Sequence, residues 1–374
     1  MVGKDDYAGK EQMWVKHWLL ENYLERLIMK VGRRWARFVY IDGYAGPWNS
    51  NMPDLSDTSF ARALSVMRAC QAKLENGGHR LPMHAIFCEK DKQSAARLMA
   101  YAKEHSRPPL TIDARHANFI KEVSPIAASL SDTDFAFALI DPTGFSEIAP
   151  AAISPLLRKR GVEVLINLMW DHVNRFWKLK QIGPTLDAIF GSNRGNQGTA
   201  EMYAAGLRAE AGTSGRRLWA SSFPIQRPDK NRTHYHLVYG THSSVGLLTF
   251  DKAAEDTWRE HAMMRAEARV RRACEDRPDL FAGEVLDVQV KRETDPQRYR
   301  AAWLALLPTP GSEKVINADV MAGLIEECGC LQRDLQDALF ALIRDGVVEN
   351  TASKGKRSKN AVDVTKDERL RRLQ

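Results

Sequence analysis

The stretch Phe38-Val39-Tyr40-Ile41-Asp42-Gly43-Tyr44-Ala45-Gly46-Pro47 decides the fold. Its first four residues are apolar without alternation, as in a strand covered on both faces, and the chain then turns through two glycines. A strand ending in such a loop belongs at the carboxyl edge of an open α/β sheet, where ligands bind. The D-G-x-x-G spacing permits tight turning and close backbone approach to a ligand, although a purely structural turn has the same composition.

Upstream, Trp14, His17, Trp18, Leu20, Leu24, Leu27 and Ile28 fall on one helical face and predict a helix over 11–30 that Gly32 ends. Downstream, Phe60, Ala63, Leu64, Met67 and Leu74 repeat the helical pattern as far as Gly77-Gly78. Strands are expected at 83–88, 110–112, 135–140 and 162–168, with a further helix near 92–104. Five strands alternating with helices predict a Rossmann-like, mainly parallel sheet with right-handed crossovers and helices on both faces. Residues 219–225 and 233–239 are expected to add an antiparallel edge pair. The intervening 171–215 read as a helical insertion over the strands' carboxyl ends, a candidate lid. A charged helix over 252–276 carries Arg265, Arg269, Arg271 and Arg272, most simply a solvated face.

At 374 residues the chain exceeds one typical domain. The main domain is expected over 1–285 and a linker over 286–311, because composition changes after Pro308-Thr309-Pro310-Gly311. Residues 312–374 then read as helices at 313–327 and 331–344, followed by strands at 346–349 and 361–364 around a basic loop. This order predicts a winged helix-turn-helix with a basic tail. Hydrophobic residues at 44% and charged residues at 27% exclude a wholly disordered chain.

Cysteines at 70, 88, 274, 328 and 330 show no C-x-x-C spacing; they read as reduced thiols, and no zinc site is expected. Neither a secretory signal nor an apolar run of about 20 residues is evident, so a cytoplasmic protein is expected. The net charge of +7 favours acidic partners without identifying them.

The candidate chemistry lies where the predicted strands end. Glu89, in Cys88-Glu89-Lys90-Asp91, offers a carboxylate suited to accept from both ribose hydroxyls of a nucleoside cofactor, or else to sit as an acid at a helix N-terminus, a role better suited to Asp91. His116, Asn118 and Phe119 offer polar edges and an apolar wall for an adenine, with a structural role for His116 equally open. Asp141-Pro142-Thr143-Gly144-Phe145 is related to the acidic, proline and aromatic loop that holds a target amine in amino-methyltransferases. It carries Thr143 in place of a second proline, and its aromatic stands one position late. Asn167 ends the fifth strand, and Asp171, His172 and Arg175 follow as groups that either bind a polar substrate or satisfy one another. Cofactor contacts are therefore expected from Asp42, Gly43, Tyr44, Gly46, Glu89, His116, Asn118 and Asp141, and catalytic contacts from Asp141, Asp171 and His172.

Five ordered blocks resemble the three-Cys-motif partner (TcmP) family over roughly residues 11–260. They are Lys16-His17 with Leu19-Leu20, Tyr40 to Pro47, Phe87 to Asp91, Ile140 to Gly144 and Val164 to Asn167. The resemblance implies a methyltransferase-like Rossmann fold, often with a winged-helix tail, and a radical-SAM-like partner that carries the three cysteines. Trp48 stands where the family often has glycine.

Two functions follow. One is an S-adenosylmethionine-binding methyltransferase acting on nucleic acid or on a nucleic-acid-associated substrate. The other is a non-catalytic, nucleic-acid-binding adaptor for the radical-SAM-like partner. In the tail, Gln332, Arg333, Gln336 and Asp337 are expected on a recognition helix that reads base edges, and Lys354, Lys356, Arg357 and Lys359 on a wing that neutralises phosphates. Protein docking by the same module is the alternative reading.

Overall fold

The computed structural model describes residues 7, 9–46, 50, 52–192, 198–228, 230–276, 292, 294–352 and 360–374. It divides into two compact units. The first comprises Met1–His242 and Arg259–Val290; the second comprises Ser243–Trp258 and Lys291–Gln374.

In the first unit the chain runs α1 (Glu11–Val31), β1 (Arg37–Asp42), α2 (Ser59–Asn76), β2 (Met83–Glu89), α3 (Lys92–His105) and β3 (Leu110–His116). It continues through α4 (Phe119–Ser129), β4 (Asp134–Ile140), α5 (Pro150–Leu157), β5 (Val162–Leu168), α6 (Trp170–Phe176), α7 (Gly183–Phe190) and α8 (Ala200–Gly212). A hairpin of β6 (Trp219–Gln226) and β7 (Thr233–Thr241) then leads into the long helix α9 (Ser244–Asp276). The seven strands lie in the order β3-β2-β1-β4-β5-β7-β6. Strands β1 to β5 are parallel, whereas β7 pairs antiparallel with both β5 and β6. This is the Rossmann-like, mainly parallel sheet with an antiparallel edge pair that the sequence predicts.

Strand β1 shows why the fold forms. Val39 and Ile41 point into an aliphatic layer with Ile86, Ala136, Ala138 and Ile140. Their neighbours Phe38 and Tyr40 point the other way, stacking on Phe135 at 6.2 Å and on Phe137 at 6.3 Å. Both faces are thereby covered, as a parallel sheet requires. Helix starts are fixed locally: the Thr58, Asp91 and Asn118 side chains accept backbone N–H groups at the heads of α2, α3 and α4.

Three expectations about this unit change. The described parts of 171–215 are mainly helical, but Leu186, Ile189, Phe190, Tyr203 and Leu207 join the core, so they pack as a structural layer and not as a lid. Arg265 is not on a solvated face. It is buried and holds the β6–β7 turn, donating to Arg227 O and Lys230 O at 3.1 Å and to Asn231 Oδ1 at 2.8 Å. Finally, α9 begins earlier than predicted, and its first half belongs to the second unit.

That second unit adds α10 (Pro296–Leu306), β8 (Glu313–Ile316), α11 (Ala318–Cys328), α12 (Gln332–Arg344), β9 (Val348–Asn350) and β10 (Glu368–Arg372). The strands form an antiparallel sheet in the order β8-β10-β9. Helix α10 occupies part of the expected linker, with Asp295 as its N-cap and Pro296 in its first turn. The expected helix 313–327 is a strand followed by a shorter helix. The last strand is 368–372 and not 361–364: Ala361 and Val362 are buried in a loop, whereas Glu368 and Leu370 alternate inward along the supposed tail. Among the described residues, no helix is long and apolar enough to cross a membrane.

Candidate functional site

Two adjoining cavities open in the first unit along the carboxyl edge of the parallel strands. The larger, of about 360 Å³, is lined by Gln12, Met13, Lys16 and His17 of α1 and by Tyr44, Gly46 and Ser50 after β1. Asp57, Thr58 and Ser59 before α2, Asp141 to Thr143 after β4, Asn167 and Met169, and His234 and Tyr235 of β7 complete its wall. The smaller, of about 50 Å³, is lined by Gly43, Cys88, Glu89, Lys90, Ala117, Asn118 and Phe119. Tyr44, Asp141 and Thr143 line both.

The loop after β1 is shaped by Asp42. This carboxylate is buried, accepts from Tyr44 N at 3.1 Å and Ser59 Oγ at 2.9 Å, and lines neither cavity. Burial raises it to about 6, against the lowering effect of those hydrogen bonds. Its role is therefore to fold the loop that presents Gly43, Tyr44 and Gly46. Gly43 is required by packing, since a Cβ there would lie 2.7 Å from the Phe119 ring. The Tyr44 phenol is pushed up by burial and by the nearby Glu147 carboxylate.

On the smaller cavity, Glu89 accepts from Asp91 N through Oε1 at 2.6 Å, and its Oε2 has no hydrogen-bond partner among the described residues. Asn118 lines the same cavity while its amide caps α4 and donates to Glu147 at 3.1 Å. His116 does not reach it: the ring is at the exposed end of β3, with Nε2 3.2 Å from Lys90 O.

Asp141 is the centre of the larger cavity. Lys16 Nζ donates to its Oδ2, and Asn167 Nδ2 donates to its Oδ1 at 2.6 Å. That second bond fixes the Asn167 amide, whose Oδ1 is buried without a hydrogen-bond partner among the described residues. Lys16 comes from a helix some 125 residues earlier in sequence, and its alignment with Asp141 is invisible to local pattern. It was legible only as part of the Lys16-His17 block.

Asp171 and His172 are not brought to either cavity. Asp171 faces the hairpin instead and is bonded by Arg227 Nε at 2.8 Å and by His234 Nδ1 at 2.7 Å. Strand alternation gave His234 no mark in the sequence, yet it lines the larger cavity. His172 is half-buried on α6.

In the second unit, the start of α12 is closed from within. Both Asp251 carboxylate oxygens lie 3.0–3.1 Å from Gln332 N, the residue expected to read bases. Gln336 is buried and clasps Val362, donating to its carbonyl at 2.9 Å and accepting from its N–H at 3.1 Å. Arg333 is exposed and paired with Asp337. Gln336 is thus a structural residue, contrary to its expected place on a base-reading face. Lys354, Lys356, Arg357 and Lys359 lie outside the described residues, as does Trp48.

Cys70, Cys88, Cys328 and Cys330 are free thiols, and the side chain of Cys274 lies outside the described residues. No cluster of three or more potential metal ligands occurs among the described residues.

No family model matches the chain, and no curated relative does. Among solved structures, a protein from Legionella pneumophila str. Philadelphia 1 assigned to the DUF519 family model is similar at 8% identity and a TM-score of 0.37, over 60% of this chain and 85% of its own. The cyclopropane synthase MmaA2 from Mycobacterium tuberculosis is similar at 11% identity and a TM-score of 0.28, over 69% and 76%. The strand order and directions define the fold independently of these likenesses.

Proposed function

We propose that the chain is an S-adenosylmethionine-binding methyltransferase of the three-Cys-motif partner type, acting on nucleic acid or on a nucleic-acid-associated substrate beside a radical-SAM-like partner. The observation that carries this reading is the pair of adjoining cavities that share Tyr44, Asp141 and Thr143. The smaller offers contacts for the ribose and base edge of a nucleoside, the larger has room for a substrate, and the point where they join is where a methyl group would pass.

The residues present fit the cofactor. The uncommitted Glu89 oxygen is an acceptor for a ribose hydroxyl, the loop folded by Asp42 exposes backbone at Gly43, and Phe119 with Asn118 supplies an apolar wall and a polar edge. When bound, S-adenosylmethionine supplies an electrophilic methyl group. Asp141, held from both sides, and the bare Asn167 oxygen would accept N–H bonds from a substrate amine and orient its lone pair. Tyr44 and Tyr235 would exclude water from its flanks.

The helix-helix-strand-strand order of the second unit, with its three-stranded antiparallel sheet, supports a winged-helix reading. The inward start of α12 favours protein docking over base reading by this helix, leaving nucleic-acid contact to the basic stretch 354–359. The adaptor reading draws on the same observation and on the Lys16–Asp141 pair, which closes the acidic group within the chain.

Calorimetry with S-adenosylmethionine on the intact chain tests the proposal. Binding by the wild type and its loss by about tenfold or more in Glu89→Ala are expected, the cost of a charge-assisted hydrogen bond. No binding by the wild type would exclude the methyltransferase and leave the adaptor.

A further inference from the structure

We propose that His234, oriented by Asp171, is the base that removes the proton from an amino nitrogen methylated in the larger cavity, an inference that rests on the methyltransferase reading. His234 lines the cavity with its side chain 20% exposed, and Nδ1 lies 2.7 Å from Asp171 Oδ2. Asp171 is itself buried, with Arg227 on the same oxygen and Arg232 Nε 3.1 Å from Oδ1. Burial pushes this carboxyl up, but hydrogen bonds from His234 and Arg227 and their charges outweigh it and hold it below the ordinary aspartate value.

An ionised carboxylate only accepts, so the hydrogen between the two side chains sits on Nδ1. The neutral imidazole then has its lone pair on Nε2. Among the described residues Nε2 has no hydrogen-bond partner. A carboxylate behind an imidazole fixes its tautomer and stabilises the imidazolium that forms on proton uptake. The other base in the cavity, Asp141, already has Lys16 on one oxygen and Asn167 on the other.

The chemistry gives such a group a proton to take. An amino nitrogen that forms an N–CH3 bond, while the S–CH3 bond breaks with its electron pair left on sulfur, carries one surplus proton. That proton passes to Nε2, yielding the neutral methylamine and an imidazolium facing Asp171. A carboxylate-backed imidazole beside two acceptor oxygens selects a substrate with N–H hydrogens to give. The substrate class we infer is an amino nitrogen, such as the exocyclic amine of adenine or cytosine, whose two N–H hydrogens can meet an acceptor oxygen and the base together, where a hydroxyl has a single hydrogen to give.

The test combines ring-nitrogen NMR with methyl transfer from labelled S-adenosylmethionine to synthetic RNA and DNA oligonucleotides containing adenine and cytosine. Nδ1–H is expected as the single neutral tautomer of His234 in the wild type, with a mixture in Asp171→Asn. His234→Gln should bind S-adenosylmethionine as the wild type does, lower kcat by about 10²–10⁴ and lose the basic group from the pH–rate profile, with KM held within about twofold. A wild-type Nε2–H tautomer, or an unchanged kcat in His234→Gln, overturns the proposal. So does a wild type that binds S-adenosylmethionine yet methylates neither oligonucleotide. A wild type that binds no S-adenosylmethionine instead fails the methyltransferase reading, whatever the tautomer.

Discussion

The larger cavity of the first unit and the start of α12 in the second are both lined by buried amides and carboxylates, but they treat them in opposite ways. At α12 each group meets a partner from its own unit: Asp251 takes the Gln332 N–H, and Gln336 matches both backbone groups of Val362. At the cavity the Asn167 and Gln12 oxygens are buried with no hydrogen-bond partner among the described residues. A buried polar atom left bare costs free energy, so folds close such atoms unless something else does. The contrast assigns recognition to the cavity and architecture to α12.

The largest expected effect separates the two directly. Gln336→Ala strips partners from both the N–H and the C=O of Val362, and each buried orphan costs about 1–3 kcal/mol. The second unit should lose about 2–4 kcal/mol in urea unfolding, with S-adenosylmethionine binding unchanged. Asn167→Leu removes an oxygen without a hydrogen-bond partner among the described residues and should cost about 1–2 kcal/mol of stability, because the bonds lost are those of Nδ2 to Asp141 and to Met169 Sδ. Its methyl transfer should fall by about 10²–10³, the loss typical of one positioned polar group. If Asn167→Leu destabilises as much as Gln336→Ala, the cavity is architecture too and the comparison collapses.

The same contrast explains what was legible in the sequence. Strands β1 and β4 were readable because burial on both faces leaves the unbroken apolar runs 38–41 and 135–140, and Gly43 and Asp141 follow them directly. The last strand was misplaced because Ala361-Val362 looks like a strand but serves as a plug held by Gln336, while Glu368-Arg369-Leu370-Arg371-Arg372 looks like a basic tail. Arg369 and Arg371 are offset across the sheet by Glu313 and Glu349, a compensation visible only once strands 313–316 and 348–350 flank it. Helix α10 had a usable signal in Asp295-Pro296, an N-cap followed by proline. His234 had none, because its partner Asp171 lies 63 residues away in sequence and nothing local singles it out from His236 on the same strand face.

A pH titration gives a second, smaller separation. Burial raises Asp251 to about 8 and Asp42 to about 6. A carboxyl raised in the native state holds its proton there when the unfolded chain has released it, so the native state binds more protons between the unfolded and native values. Stability therefore falls as pH climbs through that window. For Asp42 the loss is complete soon above pH 6, whereas for Asp251 it continues to about pH 8. Between pH 6.5 and 8 the second unit should lose about 2 kcal/mol, read as faster hydrogen exchange of α12 amides, with the sheet amides of the first unit nearly unaffected. Asp251→Asn should remove this slope. Equal losses in both units would show that the start of α12 is not the titrating element.

The smallest effect concerns the exposed face of α12. Arg333 and Asp337 sit four residues apart with their side chains 47% and 54% exposed, and they form an ion pair. Such a pair contributes about 0.3–0.5 kcal/mol to a helix and presents no net charge to a phosphate backbone. Replacing both residues by alanine should therefore leave nucleic-acid affinity and its salt dependence unchanged, with only that small loss in unfolding free energy. Neutralising Lys354, Lys356, Arg357 and Lys359 should instead flatten the salt dependence, each lost phosphate contact reducing the slope by roughly 0.9. The two variants differ in what they remove: a self-neutralised pair on a helix whose start is closed by Asp251, against four like charges close together in sequence. A slope that drops by about 0.9 in the Arg333→Ala/Asp337→Ala variant would mean that Arg333 leaves Asp337 for a phosphate. In that event α12 takes part in recognition despite its closed N-terminus, and the division of labour between the two units fails at this helix.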